Sequence, residues 1–290
     1  MSWTEHPKLM PWRRRSKFVD LVLDIIDAYT RHRTGRNASL LAYMGILTVF
    51  PLLLCATTVL GLVLEGNDDL QEDIVDSALS QIPVVGAQIR QNQGEISGNW
   101  WALLVGLAIA LWGSMRAFLA MQTALDDIWE VEHGRANFLM QRVKALIGIG
   151  VIGASQVANV VLAALVGQAG LPRTSQVLLT IGGLAVNVVV IGSMYRWLTS
   201  ADVTWAMLWP GTVLAAFAYT ALQFVGTNLM AAKLKDSEEV YGLFGSLIAL
   251  AAWISLHALV ALLGAELNAA LCRRRHAMPT ARTTLAGSHA

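Results

Sequence analysis

Six stretches of this chain stay apolar for longer than any element of a soluble protein requires. A helix crossing the ~30 Å hydrocarbon core of a bilayer needs roughly 20 mainly apolar residues. Such segments lie at about 38–64, 100–121, 142–166, 175–197, 205–230 and 241–271, and the second keeps helical character to Trp129. Each has at most one full charge in its interior. Sheet strands would be shorter and separated by turns. In lipid, a helix pairs every backbone polar group within its own segment. The expected fold is therefore all-α, a polytopic membrane protein with six transmembrane helices.

Composition excludes the alternatives. Charged residues make up 14% of the 290 and hydrophobic residues 55%, with a mean hydropathy of +0.53. Soluble domains carry roughly 25% charged residues, and disordered chains are charged and poor in aliphatics. With 2 Cys and 7 Pro, neither a disulfide scaffold nor a collagen-like chain fits. Cys55 falls in the first span and Cys272 at the far end of the sixth, so they are expected on opposite halves of the membrane. The first apolar segment follows a long polar stretch and is too long for a signal-peptide core, so no removable signal is expected.

Two stretches look amphipathic rather than spanning. In 16–36, Phe18, Val19, Val22, Ile25, Ile26 and Tyr29 share a helical face, while Asp20, Asp24, Asp27 and Arg31 lie mostly elsewhere. This predicts an interfacial helix within an N-terminal tail, 1–37. In the 65–99 connection, Leu70, Ile74, Ala78 and Ile82 recur every four residues beside Asp68, Asp69, Glu72, Asp73 and Asp76, until Pro83. That predicts a small helical cap outside the membrane; for both stretches the alternative is ordinary packing against the bundle. The transmembrane domain is 38–271, followed by a tail, 272–290.

Charge sorting orients the bundle, because cytoplasmic segments are enriched in Lys and Arg. One side holds Lys8, Arg13, Arg14, Arg15, Lys17, Arg31, Arg33, Arg36, Arg135, Arg142, Lys144, Arg196, Arg273, Arg274, Arg275 and Arg282, sixteen in all. The other holds four: Arg90, Arg173, Lys233 and Lys235. Both termini are expected in the cytoplasm of a bacterial cell with the chain in its inner membrane. The basic clusters border the inner face, so lipid headgroups explain them better than nucleic acid does.

The motifs of soluble enzymes are missing. There is no G-x-x-x-x-G-K-[ST], H-E-x-x-H or G-x-S-x-G, and the six His form no ligand cluster in sequence. No catalytic residue, metal or cofactor is expected. Polar residues at membrane depth are better leads, since they are costly unless paired or facing a cavity. Gln156, Asn187, Tyr219, Gln223 and His257 fall near the midplane of four spans and are candidates to line a substrate cavity; Thr220 is at the same depth. Interhelical hydrogen bonding is the better account of any single one, and it is their recurrence across four spans that argues for a cavity. Arg116 and Glu266 are the full charges well inside spans, at comparable depth. They either pair or snorkel separately to the inner boundary. Pro51 frees a carbonyl near the centre of the first span, as a hinge or a static kink. The small-residue pairs Gly150/Ala154, Gly211/Ala215, Gly245/Ala249, Ala261/Ala265 and Ala265/Ala269 permit close helix contact, within the bundle or in a homo-oligomer.

Three stretches carry a resemblance. They are Ala42-Tyr43 with Phe50-Pro51-Leu52-Leu53; Trp112-Gly113-Ser114 through the run from Ala124 to Glu132, with Arg135 and Arg142; and Tyr241-Gly242-Leu243-Phe244-Gly245 through Trp253 to the run from Leu263 to Ala269. The last includes Gly264 and Glu266. With six spans in the same order, the chain resembles the YihY/BrkB family of bacterial inner-membrane proteins over about 18–271. Members commonly have Asn where this chain has Asp126, and a small residue such as Ser around His257. The resemblance implies the fold more firmly than the activity. Members carry labels of virulence factor, transporter and, historically, ribonuclease BN. The expected function is a transporter or flippase of a lipid or other amphiphile. The alternative is a non-transporting envelope scaffold, or a virulence or stress-resistance factor, acting through the acidic cap. Expected partners are membrane lipids and an unidentified small-molecule or lipid substrate.

Overall fold

A computed structural model describes the backbone of residues 16–63, 100–131 and 173–286, with scattered helical positions between 143 and 151; side chains are described for 16–48, most of 101–131, most of 174–226 and 248–275. The expected cap at 65–99, most of the expected third span and the 1–15 and 287–290 ends lie outside the described residues.

The described elements are helical. They are α1 (Lys17–Arg31), α2 (Thr34–Val63), α3 (Trp100–Ile128), α4 (Arg173–Leu198) and α5 (Trp205–Ala286). Among the described residues, four stretches are long and apolar enough to cross a membrane: Leu104–Ile128, Val177–Leu198, Trp205–Gly226 and Ile248–Arg275. This is a polytopic all-α membrane protein.

Helix α5 needs comment, because 82 residues in a straight rod would run roughly 120 Å. Its two ends instead pack on each other. The Gly211 amide donates to Asn268 Oδ1 at 2.7 Å, and the Tyr219 ring meets the His257 ring edge-on at 4.5 Å. Each step forward along 205–226 is matched by a step back along 248–275, so the two limbs are antiparallel. The chain therefore reverses direction between Gly226 and Ile248, around the connection expected at 231–240. Between Gly226 and Gly242 the sequence has neither Gly nor Pro to end a helix.

The amphipathic helix also differs from expectation. It stops at Arg31, five residues early, and the first long helix begins at Thr34. The corner between them is held by Arg33 in the left-handed region (φ 53°) and by Asn37 Nδ2, which donates to the His32 carbonyl at 3.3 Å. Helix α1 buries Leu23 and Ala28 against α2 and α5 and leaves Phe18 73% exposed.

Burial is arranged as lipid solvent dictates. Small residues such as Ala38, Ala42, Ala124, Ala215, Ala216, Ala265 and Ala269 fill the contacts, while Val105, Leu178, Ile181, Val189, Leu214, Phe217 and Phe224 point outward. Lipid tails are as apolar as a leucine side chain, so helices associate through close packing rather than by hiding large apolar groups. The tightest seam joins the two limbs of α5. A Cβ on Gly211 would collide with the Gly264 carbonyl oxygen, and one on Gly264 would lie 2.6 Å from the Tyr195 hydroxyl. Tyr195, fully buried, donates its hydroxyl to the Ala261 carbonyl and joins α4 to this seam.

Candidate functional site

The polar residues of the bundle gather at the end where α1 stops, α3 stops and α5 passes. Glu266 is the centre, with 0% exposure. His32 Nδ1 lies 2.9 and 3.1 Å from its two carboxylate oxygens, and Thr34 Oγ1 donates to Oε1 at 2.8 Å. An ionised Glu266 carboxylate accepts from both groups, with His32 carrying a proton on Nδ1. His32 is itself buried, as is Thr34. Their position follows from the α1–α2 corner, which turns both side chains inward within three residues.

A second layer lies beside the first. Helix α3 ends in a Schellman turn: the Glu130 amide donates to the Asp127 carbonyl at 3.2 Å and the Val131 amide to the Asp126 carbonyl at 3.1 Å. The left-handed position of such a turn normally takes Gly, but here it is Glu130, at φ 54°. Its carboxylate pairs with Arg31 at 2.7 Å and approaches His32 Nε2 at 3.4 Å and Arg273 Nη1 at 3.6 Å. Asp126, buried one turn earlier, accepts from the Ser200 amide at 2.7 Å, the Ser200 hydroxyl at 3.0 Å and Thr199 Oγ1 at 3.4 Å. It thereby fastens α3 to the loop between α4 and α5. Arg274 ties the start of α1 to α5 through Asp20 Oδ2 at 2.7 Å and, by its Nε, Asp24 Oδ2 at 3.0 Å.

The midplane candidates are arranged differently. Asn187 Nδ2 donates to Thr220 Oγ1 at 3.2 Å, and Thr220 donates on to the Ala216 carbonyl at 2.8 Å. His257 donates from Nδ1 to the Trp253 carbonyl at 2.9 Å, its ring packed between Tyr219 and Trp253. Gln223 is half-buried on the same limb as Tyr219. Gln156, Arg135 and Arg142 lie outside the described residues, as do the side chains of Pro51, Tyr241, Gly242 and Gly245. Tyr43 and Trp112 are exposed, and Gly264 is in the seam.

Arg116 and Glu266 do not pair. The Arg116 guanidinium lies over the Trp112 ring, 5.0 Å from its centroid, on the exposed side of α3, while Glu266 is engaged by His32 and Thr34. Sequence reasoning missed His32 as a partner. The available signal was depth: His32 immediately precedes the first span, at the same level as Glu266 near the end of the last.

A groove of about 380 Å³ opens between α4 and the first limb of α5, lined by Leu184, Val188, Trp209, Pro210, Val213, Leu214 and Phe217. None of the midplane polar candidates lines it.

A helical bundle with large apolar residues outward, small ones inward and a buried carboxylate at one end defines an integral membrane protein whose polar contacts gather at that end. The chain belongs to the virulence factor BrkB family, whose model matches residues 25–286. It is 21% identical to the ribonuclease-like protein YfkH of Bacillus subtilis (strain 168) over 89% of this chain and 97% of that one. It is 25% identical to UPF0761 membrane proteins of Halorhodospira halophila and Alkalilimnicola ehrlichii, over 85% and 87% of this chain. It spans only 56% and 58% of those two relatives' own lengths. No solved structure matches.

Proposed function

We propose that the protein carries a lipid or other amphiphile across, or between the leaflets of, the bacterial inner membrane, with its Arg-rich end in the cytoplasm, and that it is not an enzyme. The observation that carries this reading is the groove on the α4–α5 seam. It is open and lined entirely by apolar side chains, whereas Asn187 and His257 are engaged in hydrogen bonds inside the protein. An apolar groove suits an acyl chain arriving from the bilayer better than a polar solute arriving from water. The orientation rests on the sixteen-to-four sorting of Lys and Arg.

The test is reconstitution in vesicles carrying fluorescent short-chain phospholipid, lysophospholipid or fatty acid, with movement followed by quencher accessibility. Wild-type protein is expected to move at least one of these faster than empty vesicles do, and a filled groove (Val188→Trp with Val213→Trp) to slow it at least five-fold. Rates equal to empty vesicles for all three would sink the reading. The name of the Bacillus relative makes nuclease activity worth assaying too. Hydrolysis of RNA by purified protein, in any divalent metal, would overturn the non-enzymatic part.

A further inference from the structure

Three side-chain nitrogens from distant parts of the chain converge on one oxygen at the Arg-rich end. Glu130 Oε1 is 2.7 Å from Arg31 Nη2, 3.4 Å from His32 Nε2 and 3.6 Å from Arg273 Nη1. Arg31 and His32 come from the end of α1 and Arg273 from the end of α5, so tertiary structure brings them together. One oxygen serves them poorly. His32 Nε2 is buried without a hydrogen bond, on a side chain only 6% exposed, and the Arg273 contact is long. The neighbouring Trp129 indole N–H is likewise buried and unpartnered.

Glu130 also sits at this place at a cost. Its left-handed backbone (φ 54°) disfavours a residue with a side chain, because Cβ crowds the following carbonyl oxygen. Its carboxylate is 49% exposed, and an ion pair so open to water contributes little. Stability therefore does not explain why Glu rather than Gly stands here, and strain of this kind concentrates at binding sites and switches.

We propose that Arg31, His32 and Arg273 form an anion site for a phosphate group, filled in the present state by the protein's own Glu130 carboxylate. A phosphate presents several oxygens in tetrahedral directions, so each guanidinium receives its own acceptor, and the orphaned His32 Nε2 pairs either by accepting from a protonated phosphate oxygen or, as the imidazolium, by donating to an ionised one. Glu266, the other acid on His32, stays on the opposite ring nitrogen. The site is at the bundle's Arg-rich end, the level of lipid phosphates. The ligand is therefore either a phospholipid headgroup or a free phosphate. The proposal goes beyond the transport reading and does not rest on it.

Calorimetric titration of the full-length protein in detergent tests it, with inorganic phosphate, dioctanoyl phosphatidic acid and dioctanoyl phosphatidylcholine as probes. Glu130→Gln and Glu130→Gly vacate the site in different backbones, and each is expected to bind phosphate or phosphatidic acid at least ten-fold more tightly than wild type. Adding Arg273→Ala is expected to abolish that gain. Binding of inorganic phosphate identifies a free phosphate group as sufficient; binding of phosphatidic acid alone identifies the headgroup. No gain for either probe in correctly folded variants overturns the proposal, as does a gain that survives Arg273→Ala. On unmodified protein, phosphate is expected to slow phenylglyoxal modification of Arg31 and Arg273 where chloride at equal ionic strength does not, and no slowing also overturns it.

Discussion

The Arg-rich end and the middle of the bundle both bury polar side chains, but they use them differently. At the end, bonds join residues far apart in the chain: His32 and Thr34 to Glu266, Asp126 to Thr199 and Ser200, Arg274 to Asp20 and Asp24. In the middle, His257 and Thr220 bond to carbonyls four residues back in their own helix, and the Asn187–Thr220 bond crosses between helices. A bond to the preceding turn would form in almost any packing of that helix. A bond between residues more than two hundred positions apart forms only in this one. The polar end should therefore determine how the helices are tied, while the middle should tolerate change.

The most severe test of this difference is Glu266→Ala. It leaves His32 Nδ1 and Thr34 Oγ1 buried without an acceptor, and each orphaned buried group costs about 1–3 kcal/mol. We expect a large drop in apparent Tm in detergent, with Glu266→Gln less damaging because its carbonyl still accepts. Adding His32→Ala to Glu266→Ala should recover part of the loss, since removing both partners leaves fewer orphaned groups. A Glu266→Ala protein as stable as wild type would erase the distinction between the two regions.

Next in size is Gly211→Ala. The new methyl meets the Gly264 backbone carbonyl, which cannot rotate away as a side chain would. Separating the limbs would also strain the Gly211 amide's bond to Asn268. Overpacking of this kind costs about 1–3 kcal/mol. Ala at Gly150, where no described atom lies within 4 Å of the added Cβ, is the matched control and should leave thermal stability unchanged.

Asp126 gives a finer measure. Asp126→Ala strands the Ser200 amide and should cost about 1–3 kcal/mol. Asp126→Asn keeps an acceptor for that amide, so it should cost under about 1 kcal/mol in the same thermal assay. Equal losses for the two would mean that the negative charge, not the hydrogen-bond acceptor, holds the α4–α5 loop.

These contrasts also mark what the sequence made legible. Long apolar runs revealed the helices, because the length a bilayer demands is written in consecutive residues. The small residues of the seam were legible too, as Gly211/Ala215 and Ala261/Ala265. The Glu266 partner was not. Helical periodicity places a side chain on a face but says nothing about which distant segment faces it, so Arg116, a charge at matching depth, was a reasonable rival to His32. The left-handed Glu130 was equally hidden, since the sequence offers no Gly there to signal the turn. Nor does a stretch without Gly or Pro, such as 231–240, show whether its helical bonding stops between two antiparallel limbs.

The smallest expected effects belong to the middle of the bundle, and there a small result carries the argument. Asn187→Ala removes one interhelical bond, and such bonds in membrane bundles average only about 0.6 kcal/mol. Thr220 keeps its bond to the Ala216 carbonyl, so its own donor is not orphaned. His257→Ala also removes ring contacts with Tyr219 and Trp253, each worth about 0.5–1.5 kcal/mol, and should cost slightly more. By thermal unfolding Asn187→Ala should stay within about 1 kcal/mol of wild type and His257→Ala within about 3 kcal/mol. If either also left amphiphile movement in vesicles unchanged, its polar group would be packing rather than pathway. If a stable Asn187→Ala protein lost movement at least ten-fold, the middle of the bundle would carry the function and the polar end would be its frame.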